Sequence, residues 1–113
     1  MSMKVLIVDP DWRFSQKVSR FLESRAHLPV RCRQQDEAID KAAHWQPDLA
    51  IVSEQLAESG IIERLHALPR RPAVLLVGWM DHYERLWRAW QRGGDELLVK
   101  PVFSSEELQT AIV

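Results

Sequence analysis

Lys4-Val5-Leu6-Ile7-Val8-Asp9-Pro10-Asp11 is the stretch on which the fold turns. Lys4 to Val8 is short, rich in Val, Ile and Leu, and stops at charged and turn residues, the pattern of a strand buried on both faces. The same pattern recurs at Leu49 to Val52, Val74 to Val77 and Glu96 to Val99. Pro29 to Arg33 is weaker: it alternates, begins with proline and carries two arginines, as an edge strand tolerates. Helical spacing fills the intervals. Trp12 to Ser24 sets Phe14, Val18, Phe21 and Leu22 on one stripe, with Asp11 as N-cap. Asp36 to Trp45 starts near Gln35 or Asp36 and stops before Pro47; Ser59 to Leu68 stops at Pro69; Asp81 to Arg92 stops at Gly93-Gly94. A last helix is expected from Ser104, whose spacing to Glu107 suits a capping box.

Strand and helix thus alternate five times. Right-handed crossovers and helices that must each bury a stripe imply a parallel sheet covered on both faces: a flavodoxin-like, doubly wound α/β fold of order 2-1-3-4-5. Ligands of such folds sit beyond the carboxyl ends of the strands. The chain has 113 residues, 46% of them hydrophobic, which suits one domain over 1–113 and excludes a large multidomain enzyme. The final helix is short, so a continuation into an effector domain is left open. A net charge of −1, from 15 basic and 16 acidic residues, speaks against a dedicated nucleic-acid binder. Arg31, Arg33, Arg70, Arg71, Arg85, Arg88 and Arg92 are scattered among acids and read as solvated surface. The runs Val5 to Val8 and Ala73 to Gly78 are too short to span a bilayer and no leader opens the chain, so a cytoplasmic location is expected. One cysteine, Cys32, and four dispersed histidines offer neither a disulfide nor a structural zinc site.

The strand ends carry Asp9-Pro10-Asp11, Ser53-Glu54, Gly78-Trp79 and Lys100-Pro101, which this topology would gather at one edge. Val5-Leu6-Ile7-Val8-Asp9, Pro47-Asp48-Leu49-Ala50-Ile51-Val52 and Gly93-Gly94-Asp95-Glu96-Leu97-Leu98-Val99-Lys100-Pro101 resemble, in order and nearly in spacing, the signatures of response-regulator receiver domains. The resemblance implies a cation held by acids after strand 1, an aspartate at the end of strand 3 that takes a phosphoryl group, a hydroxyl ending strand 4, a lysine ending strand 5, and a cis peptide before Pro101. Hard oxygen ligands suit Mg²⁺, and attack by a carboxylate on phosphorus calls for positive charge nearby.

This chain keeps part of that set. Asp9 matches the first acid, Pro10 replaces the second, and Asp11 is a one-residue-shifted substitute. Ser53 stands at the phospho-acceptor position, where a neutral hydroxyl cannot form an acyl phosphate. Counting back from Lys100 puts Gly78 at the strand 4 hydroxyl, or Val77 after a one-residue shift; neither has a side-chain oxygen. The loop after Ser53 reads Leu56-Ala57 and is one residue short to Gly60. The plainer readings are that Asp9 pairs with Lys100, that Asp11 caps helix 1, that Ser53 is a hydrogen-bonding filler, and that Glu54, one residue on, points to the other face.

Five tryptophans are many for this length. Tyr83, Trp87 and Trp90 form a stripe beside that of Leu86 and Ala89, together wider than one sheet-facing surface needs, which marks an interaction surface on helix 4, strand 5 and helix 5. The expectation is a degenerate, phosphorylation-independent receiver-like module of two-component or phosphorelay signalling, and not an enzyme. Its partner would be another signalling protein or a second copy of itself, with no nucleic acid, no membrane and no cofactor beyond weak Mg²⁺ at Asp9 and Asp11. Two rivals stand beside it: a conventional Mg²⁺-dependent phospho-acceptor of unusual geometry, and a flavodoxin-like nucleotide or flavin binder, which the glycine-free turn at Asp9-Pro10-Asp11 disfavours.

Overall fold

In the computed structural model, which describes residues 2–79 and 83–100, five parallel strands form one sheet in the order β2-β1-β3-β4-β5. They are β1 (Lys4–Val8), β2 (Leu28–Cys32), β3 (Leu49–Ser53), β4 (Ala73–Trp79) and β5 (Glu96–Lys100), joined through α1 (Trp12–Ser24), α2 (Gln35–Trp45), α3 (Ile61–His66) and α4 (Tyr83–Gln91). The doubly wound reading holds. The helix expected from Ser104 lies outside the described residues.

The unbroken apolar strands divide their side chains between two cores because successive residues point to opposite faces. Val5, Ile7, Ile51, Leu75 and Val77 pack with Phe14, Val18 and Leu22 of α1. Leu6, Val8, Ala50, Val52, Val74 and Leu76 pack on the other face with Ala38 and Ala42 of α2 and with Ile61, Ile62 and Leu65 of α3. Two carboxylates tie strand starts together: Asp48 accepts from the Lys4 amide at 2.9 Å, and Asp95 from the Val74 amide at 2.9 Å.

Several boundaries differ from the sequence reading. β2 begins one residue earlier, at Leu28, whose amide donates to the Met3 carbonyl. Pro29 is thereby interior to an edge strand, in register with Val5. β4 continues through Gly78 and Trp79 instead of ending at Val77. The helix expected over Ser59 to Leu68 is present but shorter, as α3, and a separate 3-10 turn at Glu54–Ser59 precedes it, with Gly60 at φ +88° between the two. A residue in the left-handed region cannot continue a right-handed helix.

Candidate functional site at the carboxyl edge of the sheet

Asp9 follows β1 and Lys100 closes β5, 91 residues apart in sequence, yet the Lys100 Nζ donates to Asp9 Oδ2 at 2.7 Å. Both side chains are enclosed, at 2% and 0% exposure. The second carboxylate, Asp11, places Oδ2 3.6 Å from the same ammonium. Backbone amides lock the pair from the other side: Asp11 N donates to Asp9 Oδ1 at 2.8 Å, and Phe14 N donates to Asp11 Oδ1 at 3.2 Å, so Asp11 is the N-cap of α1. Aromatic faces complete the enclosure, with the Lys100 Nζ 4.3 Å from the Phe14 ring centroid and 5.8 Å from that of Trp79. Sequence reasoning gave Phe14 to the core and left Trp79 without a role here. The signal for Phe14 was its place three residues after the cap, on the helix turn that overhangs the strand ends.

Burial pushes the Asp9 carboxyl above its ordinary 3.8, against the opposing pull of the Lys100 hydrogen bond and the Asp11 amide. Burial, then the Glu37 side chain, raise the Cys32 thiol to about 12, so it stays protonated and unreactive.

Ser53 ends β3 and is 1% exposed. Its hydroxyl accepts from the Gln55 amide at 3.2 Å and caps the 3-10 turn. Glu54, expected to continue the strand alternation, instead opens that turn and is buried. Ser53 stands in register with Val77, whereas Gly78 lies one residue further, opposite Val99. Of the two residues that the count from Lys100 allowed, Val77 is therefore the neighbour of Ser53. Gly78 follows the parity of Leu76 and belongs to the opposite face. Pro101 and the peptide before it lie outside the described residues.

The arrangement has limited chemistry. Asp9 and Asp11 both face one ammonium, which leaves a divalent cation two committed carboxylates where Mg²⁺ takes near-octahedral oxygen ligands. Ser53 adds no anion to the two.

Solved structures similar to this chain share its architecture along nearly its whole length. NtrX from Brucella abortus, in complex with ADP, superposes with a TM-score of 0.87 at 19% identity, over 97% of this chain and 25% of that one. The signal receiver domain of a response regulator from Bermanella marisrubri gives 0.83 at 21% identity, over 97% of this chain and 94% of that one. This is the receiver fold. A two-component response regulator from Clostridium difficile adds a third instance, with a TM-score of 0.76 at 23% identity, over 97% of this chain and 91% of that one. No protein-family model and no curated protein matches the sequence. This chain spans a quarter of the length of the NtrX chain, so the receiver fold is one part of that larger protein.

Two tryptophans of α4 stand at the surface. Trp87 and Trp90, three residues apart on one helix, bring their ring centroids to 5.1 Å at an interplanar angle of 35°. Trp79, Trp87 and Trp90 are 37%, 42% and 37% exposed. The side chain of Tyr83 lies outside the described residues. Among the described residues no helix is long and apolar enough to cross a membrane.

Proposed function

We propose that this chain is a receiver-type signalling module that transmits by protein–protein contact, without aspartyl phosphorylation. The observation that carries the reading is Ser53: a buried, neutral hydroxyl, already used to cap the next turn, where a receiver would need a free carboxylate. The Asp9–Lys100 pair supports it, because an ammonium satisfied by two carboxylates is not waiting for a phosphoryl group. With Val77 beside Ser53, no hydroxyl offers itself as a latch at that point of the sheet.

Incubation with acetyl phosphate and Mg²⁺ is expected to leave the intact mass unchanged. Addition of one acid-labile phosphate would favour the rival reading, and peptide mapping would place it, with buried Glu54 as the first candidate. In parallel, Ser53→Asp restores an oxygen anion at the strand end and is expected to gain Mg²⁺-dependent thermal stability that the parent lacks.

The exposed Trp87–Trp90 pair is the proposed contact surface, shared with β5. Large rings at an interface centre carry much of its binding energy. Self-association or partner binding is therefore expected to weaken by about tenfold or more in Trp87→Ala, read by sedimentation and by capture of a cognate signalling protein. Identical monomeric sedimentation together with unchanged capture would remove this face from consideration.

A further inference from the structure

Arg31 of β2 and Arg33 just beyond it converge on one indole. Their guanidinium carbons lie 3.8 Å and 4.2 Å from the ring centroid of Trp12, the first residue of α1. Four other arginines each meet a carboxylate: Arg64 meets Asp36, Arg70 Asp48, Arg71 Asp95 and Arg92 Glu63. No carboxylate of the described residues lies within 4.0 Å of Arg31 or Arg33. The Arg31 Nε is enclosed and makes no hydrogen bond. Two like charges held at one ring repel each other, and one donor is left unused. The cluster lies at the carboxyl edge of the sheet, where the Cys32 carbonyl between the two arginines accepts from the Asp9 amide at 3.2 Å.

We infer that Trp12, Arg31 and Arg33 form a binding site for a phosphate monoester. Two guanidinium groups supply two positive charges, and a phosphate monoester carries about −1.5 to −2 at neutral pH, whereas a carboxylate or a nucleic-acid diester brings one per group. The planar fork of arginine matches phosphate oxygens with parallel N–H donors, and stacking on the indole holds both forks in place before the ligand arrives. The ligand chemistry is the monoester; a phosphorylated side chain of a partner protein and a free phosphorylated metabolite are its two sources. The site makes no use of Ser53 and stands whether or not the proposed loss of phosphotransfer is right.

Titration of the full chain with inorganic phosphate, followed by the Nε–H NMR signals of Arg31 and Arg33 and by calorimetry, tests the site. Saturable shifts of both signals are expected, with acetate at equal concentration much weaker. Arg33→Gln is expected to weaken phosphate binding by about tenfold and Arg31→Gln/Arg33→Gln by far more, since each charged hydrogen bond carries roughly that factor or more. Arg64→Gln is expected to leave it unchanged. A phosphoserine peptide and adenosine monophosphate form the two source arms, and the tighter of the two identifies the source. Equal binding of acetate and phosphate, an affinity indifferent to Arg33→Gln, or a preference for a single-stranded oligonucleotide over any monoester would overturn the inference.

Discussion

Asp9→Asn is expected to destabilise the fold by about 3–5 kcal/mol, the cost of leaving one partner of a buried ion pair charged and alone. The ammonium of Lys100 is 2% exposed and has its short contact, 2.7 Å, with Asp9; Asp11 at 3.6 Å is the weaker substitute. Lys100→Met removes the other partner and is expected to cost less at acidic pH than at neutral pH. The sign follows from the carboxyl that remains. Burial already raises Asp9 above 3.8, so the folded chain binds this proton more tightly than the unfolded chain does. Stability from that extra proton is complete below 3.8 and is lost as the pH rises through the folded value. Without Lys100 the upward push is larger and the window wider, so the deficit of Lys100→Met shrinks on acidification. Asp9→Asn/Lys100→Met leaves neither charge buried and is expected to return to within about 1–2 kcal/mol of the parent. Urea unfolding of the four proteins closes the cycle, provided the dependence on denaturant is unchanged. Additive losses, with the double variant as unstable as the two single ones combined, would show that the pair is not coupled.

The strand pattern was legible because β1, β3, β4 and β5 are continuous apolar runs, and an unbroken run leaves few places for a strand to end. The start of α3 was less so, because the spacing of Ile61, Ile62, Leu65 and Leu68 carries no record of the backbone angle at Gly60 that keeps Ser59 out of the helix. Counting back from Lys100 gave Gly78, or Val77 after a shift of one residue. A shift of one residue exchanges the two faces of the sheet, and the sequence carries no record of the register that sets Val77 opposite Ser53. Asp9, Asp11 and Lys100 could be gathered once the topology was assumed, since the topology alone brings residues 91 apart together. The enclosure of that ammonium by Phe14 and Trp79 could not, because a ring that covers a charge has the same spacing as one that fills a core. The arginines at Trp12 show the same limit. In the linear sequence Arg31 and Arg33 are two of many dispersed charges, and only the folded chain separates them from the arginines that meet a carboxylate.

Gly93→Ala is expected to cost about 3 kcal/mol, a fall of roughly 15 °C in Tm for a domain of this size. Two separate terms contribute. Gly93 has φ +126°, a backbone conformation closed to side chains with a Cβ, and a Cβ built there would stand 2.5 Å from the His66 Cε1 and 3.1 Å from its Nδ1. The His66 ring is poorly placed to yield, since its Nε2 is enclosed. Gly60→Ala isolates the first term: φ is +88° and the nearest atom, Glu63 Oε2, is 3.8 Å away, so only the left-handed backbone is strained, at about 1–2 kcal/mol. Adding His66→Ala to Gly93→Ala is expected to recover the steric part and leave the backbone part. The turn matters beyond stability. Gly93 N and Gly94 N both donate to the Trp90 carbonyl, at 3.0 and 3.1 Å, and close α4; Asp95 N donates to the Val74 carbonyl at 2.8 Å and sets the start of β5. From that start the register runs from Leu75↔Glu96 to Trp79↔Lys100. A distorted turn should therefore disturb the exposed tryptophan pair and the seating of Lys100 against Asp9 together, visible as a change in tryptophan fluorescence alongside weakened partner capture. Equal losses for Gly93→Ala and Gly60→Ala, with the fluorescence unmoved, would mean that His66 gives way freely and that this turn does not connect the two surfaces.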